Sequence, residues 1–200
     1  MPKVSDQHRA SRRDQITAAA LACFAEKGFQ RTSMADIIAA SGLSAGAIYL
    51  HFESKQQIAL AVGRQVLGRR LGDLDELSGG ELPDPISMLR VLLARMVDDM
   101  VDSRMLLQLW GEATSDPEMS ALVGEIFGLL RDGFTRYLTA WATQRGADDP
   151  AEWADRALPA VLALAQGFMV QRALLPVFDV DAYFDGVRLV AGPGFDTPGV

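Results

Sequence analysis

Tyr49, Leu50 and His51 stand together in the stretch AGAIYLHF, with Arg31, Thr32 and Ser33 ahead of it and Ser54 and Lys55 behind. A phenol, an imidazole, several hydroxyls and two cations in one short segment can exchange hydrogen bonds with a polyanion. The same groups include no nucleophile paired with a base, no glycine loop that cradles phosphate and no metal-ligand spacing. His8 and His51 are the two histidines and Cys23 the one cysteine of the 200 residues. The expectation is therefore binding chemistry: no catalytic set, no metal and no cofactor. Cys23, among Ala, Leu and Phe, reads as a small buried hydrophobe.

The elements that position these residues read as helices. RRDQITAAALACFAEKGF sets Ile16, Ala20, Leu21, Cys23 and Phe24 on one side and stops at Gly28, which predicts a first helix over 12–27. TSMADIIAASG predicts a short second helix with Ser33 and Asp36 at capping-box spacing, Met34, Ile37 and Ile38 as its apolar side, and Gly42 as its stop. Ser44 caps a third over AGAIYLHF, and Ser54 with Gln57 opens a long fourth. No proline falls between Pro2 and Pro83. Two short helices across a glycine turn, flanked by longer ones, result.

Within AGAIYLHF a helical wheel groups Ala45, Ile48 and Phe52 as the packing side and turns Gly46, Ala47 and Leu50 outward, with Tyr49 and His51 at the edges. A solvated face carries Lys, Glu or Gln here; small residues and a leucine instead permit close approach to base edges, where thymine methyls accept apolar contact. Lys55 at the first position of a helix is unfavourable with the macrodipole, and Arg31 stands before the second helix, so an anion at each would relieve both. One inserting helix between two phosphate clamps is a helix-turn-helix for duplex DNA.

Residues 12–60, in "AEKGFQRTSMADIIAASGLSAGAIYLHFESKQQI", resemble the DNA-binding domain of the tetracycline-repressor (TetR) family of bacterial regulators. The resemblance rests on the Gly-Phe turn, the Thr-Ser helix start, the Ile-Tyr-x-His-Phe centre and the Ser-Lys opening. It implies that Ala45, Gly46, Ala47, Tyr49, Leu50 and His51 meet DNA and that Thr32, Ser33 and Lys55 hold phosphates, with Arg31 beside them. Leu50 departs from the larger aromatic or polar residue often found at its place. Arg12 and Arg13 are expected to reach flanking backbone or minor groove, whereas Arg64, Arg69 and Arg70 read as a solvated face.

Beyond SGGELPDP (78–85), rich in breakers and expected as a boundary, every strong pattern is again helical. Asp116-Pro117 and Asp149-Pro150 are helix starts, Pro159 is expected to kink or split its helix, and DAYFDGVRLVA closes the pattern. The resembling family binds a small molecule and dimerises through this half. Met96, Met100, Trp110, Phe127, Phe134, Phe168 and Met169 are the expected lining of a largely apolar effector site, since thioethers beside aromatics adapt to a ligand. Arg104, Gln108, Gln166 and Arg172 could orient it. ALPAVLALAQGFMV, small on one side, and the last helix are expected to join two copies.

Charge divides the same way. Residues 1–70 carry ten Lys or Arg against five acids, and the remainder nine against twenty-one, for a net charge of -7. A basic head can approach a polyanion while an acidic body faces away. No run of eighteen uninterrupted apolar residues occurs and the N-terminus is polar, so a cytoplasmic protein without membrane contact is expected. The overall expectation is an all-α chain: a flexible basic arm (1–11), a three-helix helix-turn-helix domain (12–60), a helical effector-binding and dimerisation domain (61–191) and a flexible tail (192–200). Its expected partners are a double-stranded DNA operator, a small-molecule effector and a second copy. The rival expectation is an all-helical enzyme or a small-molecule or lipid carrier without DNA binding.

Overall fold

The computed structural model describes residues 3–77, 80–98 and 103–191, and no strand occurs among them. The helices are α1 (Lys3–Lys27), α2 (Met34–Ser41), α3 (Ala45–Tyr49), α4 (Lys55–Leu77), α5 (Pro85–Asp98), α6 (Ser103–Ala113), α7 (Pro117–Gln144), α8 (Pro150–Leu174) and α9 (Val180–Ala191). Helix α1 begins well before Arg12, so residues 3–11 are helical where an arm is expected from sequence; no Gly or Pro interrupts Lys3–Lys27. The expected tail, 192–200, lies outside the described residues.

Aspartate-proline pairs start three of the later helices. Asp84 accepts from the N–H groups of Ile86 and Ser87 at 3.0 and 2.9 Å, Asp116 from Glu118 and Met119 at 2.8 and 3.2 Å, and Asp149 from Glu152 at 3.0 Å. In each case a carboxylate satisfies donors that the first turn leaves open, and proline occupies a position that needs no donor. Helix α8 runs unbroken through Pro159, which corrects the expected split. Pro159 is exposed, as is Asp155, whose carbonyl loses its donor, so water can replace the missing bond.

The chain forms two compact units that do not follow its linear order: residues up to Val66 together with Gln108–Ile126, and Leu67–Leu107 together with the chain from Phe127. Helices α4, α6 and α7 each contribute to both. The first unit takes in the expected 12–60 and adds Gln108–Ile126, and its border within α4 falls at Val66.

The first unit is built on α1. It packs against α2, which packs against α3, and Ile16, Ala20, Phe24, Ile37, Ile48, Phe52 and Ile58 form its core, each at most 3% exposed. The expected burial of Cys23 holds, at 7% exposure. Thr17 ties α1 to α4, its hydroxyl 2.7 Å from Gln65 Oε1, and Arg64 on α4 pairs with Glu125 on α7 at 2.7 Å.

In the second unit α5 packs on α8 and α9. Phe168 sits in an aromatic cluster with Phe178, Tyr183 and Phe184, at centroid distances of 5.1, 5.4 and 5.8 Å. The segment before α5 is fastened to α7, because Gln144 donates to Gly80 O at 2.9 Å and accepts from Leu82 N–H at 3.0 Å, and Tyr137 O–H donates to Pro83 O at 2.6 Å. Residues 80–83 are thus fixed inside one unit.

Gly28 and Gly42 end α1 and α2 at φ 79° and 67°. Alanine at either position is strained by about 1–2 kcal/mol. At Gly28 its Cβ would also stand 3.0 Å from Gln108 Oε1, whereas Gly42 faces open space. Denaturant titration is expected to show both Gly28→Ala and Gly42→Ala less stable than the parent, with Gly28→Ala the worse; equal loss would remove the Gln108 contact from this account.

Candidate nucleic-acid interface

Helix α3 has five residues, too few to persist alone, and its position is imposed from outside. Ser44 Oγ caps it by accepting from Ala47 N–H at 3.2 Å. Ile48, fully buried, and Phe52, 2% exposed, anchor its inner side. Arg13 on α1 lies over the Phe52 ring at 4.3 Å and donates to His51 O at 3.1 Å. Arg13 is therefore a brace for the end of α3, where an arm reaching along DNA is expected from sequence. Its neighbour Arg12 holds Gln15 at 2.8 Å, and Gln15 in turn donates to Ser41 O at 2.8 Å, tying α1 to the end of α2. Contacts across such separations leave no local signal in sequence.

Between those anchors the outer side of α3 stands clear. Leu50 is 86% exposed and Tyr49 50%; Gly46 is exposed, and Ala47 and His51 are half-buried. Ala45, expected on the packing side, is exposed as well. It is the first helical residue after the cap, and the apolar anchoring falls on Ile48 and Phe52, nearer the other end of α3.

The start of α2 is a charged box. Ser33 Oγ accepts from Asp36 N–H at 3.1 Å and donates to Asp36 Oδ2 at 2.6 Å, while Ser33 N–H donates to the same oxygen at 2.8 Å. Lys27 Nζ reaches Asp36 Oδ1 at 2.6 Å. The Lys27 ammonium, then the Ser33 hydroxyl and N–H, hold the Asp36 carboxyl far below the usual carboxylate range. Arg31 is exposed beside this box, with its Nε fixed on Lys27 O at 2.8 Å.

Two residues expected to hold phosphate face inward. Thr32 is 1% exposed, and its hydroxyl lies 2.8 Å from Gly28 O and 3.1 Å from Cys23 O, so it staples the turn to α1. Lys55 Nζ donates to Phe29 O at 2.8 Å, Thr32 O at 2.9 Å and Gln30 O at 3.4 Å, and sits over the Phe29 ring at 4.3 Å. The negative ends of peptide dipoles in the turn before α2 supply what an anion at the start of α4 was expected to supply. Burial lowers the Lys55 ammonium pKa, against the opposing charge of Glu112, whose Oε2 is buried without a hydrogen-bond partner. At the start of α4 Gln57 N–H donates to Ser54 Oγ at 3.2 Å, but the Gln57 side chain reaches Glu53 N–H at 3.0 Å in place of the cap residue.

The residues expected to line an effector site are divided. Phe168 (0% exposed), Phe134 (1%) and Met169 (5%) lie in the core of the second unit, and Met169 Sδ accepts from Ser103 Oγ at 3.5 Å. Phe127 belongs to the same unit and is half-buried, whereas Trp110, also half-buried, belongs to the first. Met100 and the Met96 side chain lie outside the described residues. A cleft of about 400 Å³ in the second unit is lined by Glu81, Leu82, Pro83, Asp84 and Arg145, and by none of these. No cluster with metal-binding character occurs among the described residues.

Lys55→Met removes three carbonyl bonds and is expected to cost about 1–3 kcal/mol in denaturant titration; parental stability would show that the turn needs no latch. Asp36 contributes through a lowered folded-state pKa, so its stabilisation is present above the ordinary carboxylate pKa and is lost as pH falls through and below it. Asp36→Asn is expected to melt lower at neutral pH and to lose less stability than the parent on acidification. Parallel pH curves would remove Asp36 from the acid response.

Comparison with known sequences and folds agrees with this geometry. The pattern described as bacterial regulatory proteins, tetR family, matches residues 16–62, and that of the BetI-type transcriptional repressor C-terminal domain matches residues 87–187. An HTH-type transcriptional repressor of Mycobacterium tuberculosis, Rv1474c, is 43% identical over 65 residues, 32% of this chain and 35% of that protein. The chain thus spans about a third of the length of that curated relative. The fold is shared with Salmonella enterica GusR (TM-score 0.65, 22% identity, 93% of this chain and 96% of that one). It is shared too with the transcriptional regulator FadR from Bacillus subtilis, in complex with stearoyl-CoA (TM-score 0.65, 19% identity, 86% and 94%). With a helix-turn-helix head of matching sequence and more than half its length in the matching C-terminal domain, the chain belongs to the TetR family of bacterial transcriptional regulators.

Proposed function

We propose that the protein is a sequence-specific DNA-binding repressor, released from a palindromic operator by a small, largely apolar effector. The observation that carries this reading is the uncharged outer side of α3, held rigid by Ile48 and Phe52 while Tyr49 and Leu50 project. A surface of that kind suits the major groove, where approach is close and contacts are both apolar and hydrogen-bonded. Ala45, Gly46, Ala47, Tyr49, Leu50 and His51 meet base edges and nearby backbone, and Arg31 and Ser33 meet phosphate. Lys55 and Thr32 act indirectly by fixing the turn that carries Arg31 and Ser33. The protein works in the cytoplasm, where its operator lies.

A second copy is required because one short helix reads few base pairs. Support comes from α8 and α9. Helix α8 is long and apolar enough to cross a membrane by length and composition, yet only 28% of its apolar window is buried within the chain. Ala160, Ala163 and Leu174 on α8, and Ala182, Gly186 and Leu189 on α9, are exposed at helical spacing. Small residues let helices approach closely, and a four-helix contact between two copies buries these stripes.

The effector site takes Phe127, Phe134, Phe168 and Met169 of the second unit as its apolar wall. The stearoyl-CoA bound by the FadR relative supports an apolar ligand. Phe134 and Phe168 are closed to solvent, so an effector favours a conformation that uncovers them, and release follows by population shift. Helices α4, α6 and α7, each belonging to both units, carry the change. Glu112 near the end of α6, with an unpartnered carboxylate oxygen and a charge that acts on Lys55, supports that route.

Selection of genomic fragments with the purified protein tests the reading. The folded parent is expected to retain a discrete set of duplexes, and Tyr49→Ala or His51→Ala to lose them while keeping the size of a dimer. Retention of none, with or without small-molecule extracts, would falsify it and favour a carrier or enzyme without DNA binding. Arg31→Ala is expected to flatten the dependence of log affinity on log salt by about one unit, and Lys55→Met to weaken binding with the slope unchanged. A flattened slope for Lys55→Met would return Lys55 to the phosphate contacts. Leu189→Glu is expected to yield monomers on a sizing column.

A further inference from the structure

From residue 44 to residue 52 the chain carries no carboxylate, amide, ammonium or guanidinium side chain. The bidentate partners of guanine and adenine, which are Arg, Lys, Asn and Gln, are therefore missing from the outer side of α3. Its largest projecting group is Leu50. Two residues back Ile48 is fully buried and two residues on Phe52 is 2% exposed, so the leucine between them is driven outward, to 86% exposure. Its backbone is fixed too, its N–H directed to Gly46 O and Ile48 O. Leu50 is not an isolated surface leucine on a polar background: Tyr49 at its side is 50% exposed, and the exposed Ala45 and Gly46 present almost nothing but backbone.

The major-groove edge offers one apolar group, the C5 methyl of thymine; guanine, cytosine and adenine present only donors and acceptors there. We infer that Leu50 is a specificity-determining residue that reads a thymine methyl in each half-site of the operator. This rests on the DNA-binding reading above and names the chemistry it recognises. A cytosine at that place would set an amino donor against an aliphatic side chain with no acceptor to offer, so discrimination comes from both the gained methyl contact and the stranded donor.

The test uses a duplex recovered from a randomised library with the parent protein. Each thymine is replaced in turn by deoxyuridine, which removes one methyl and leaves base pairing intact. The expected result is one position per half-site where the replacement weakens binding roughly fourfold, the effect of burying about one methyl. Leu50→Ala is expected to bind more weakly, to melt like the parent because the side chain is exposed, and to become indifferent to deoxyuridine at that position alone. A parent that binds its selected duplex but ignores every replacement, or a Leu50→Ala variant that keeps the full sensitivity, overturns the thymine assignment and leaves DNA binding standing. Failure to recover any duplex overturns both.

Discussion

A helix of five residues forms barely one turn of hydrogen bonds, so the surface it presents is only as rigid as whatever holds it. In this protein the holding is done from inside. Ile48 and Phe52 lock α3 to the core, Ser44 closes its start, and Arg13 covers Phe52 at 4.3 Å while binding the His51 carbonyl at 3.1 Å. Orientation of α3 therefore depends on α1, whose Arg13 and Gln15 reach past the turn to the ends of α3 and α2. Pre-set geometry of this kind reduces the entropy lost when a surface meets its partner.

The cations of the head divide by how they are held, and the two kinds of partner have different electrostatic consequences. Lys27 meets a full negative charge at Asp36, 2.6 Å away, and that pair is nearly neutral at a distance. Lys55 donates to carbonyl oxygens, with the Glu112 carboxylate as the opposing charge that acts on it. A carbonyl dipole does not cancel a charge, so the field of a cation held by carbonyls alone still extends outward. Arg13 is in the same position. The excess of basic residues in the first third can thus steer a polyanion toward the head while the individual side chains serve the fold.

Much of this architecture is legible in the order of residues. Gly28, Gly42 and Gly146 all take positive φ at helix ends, and Ser33-Asp36 closes a capping box, because these signals are local and only a few residue types satisfy them. Ile48 and Phe52 follow from the wheel. Ala45 does not, since a wheel supposes a neighbour along the whole helix. Lys55 shows where such reasoning reaches its limit: the macrodipole correctly indicates an unmet need for negative potential at the start of α4, but the carbonyls that meet it come from residues 29–32, remote in sequence. Composition is blind to burial: it marks Phe134, Phe168 and Met169 as suited to a ligand, and carries no sign that they are closed to solvent in the second unit. The membership of 108–126 in the first unit rests on packing between distant segments, for which periodicity carries no trace.

Two sets of exposed apolar residues remain, and their charge surroundings argue for different partners. Leu50 and Tyr49 lie in the basic third, on a side with no acid between Ser44 and Phe52. Leu174, Leu175, Val177, Leu189 and Val190 lie in the remainder, where acids outnumber bases by more than two to one, and a nucleic acid is repelled from such a region. Two acids beside this edge are matched, Asp181 by Arg90 and Asp84 by Arg188. Each such pairing lowers the charge that burial of that edge would penalise. An apolar surface in an acidic region suits a protein surface of the same kind, as in the proposed two-fold contact, whereas an apolar probe in an unbalanced positive field suits a partner that brings both methyl groups and phosphates.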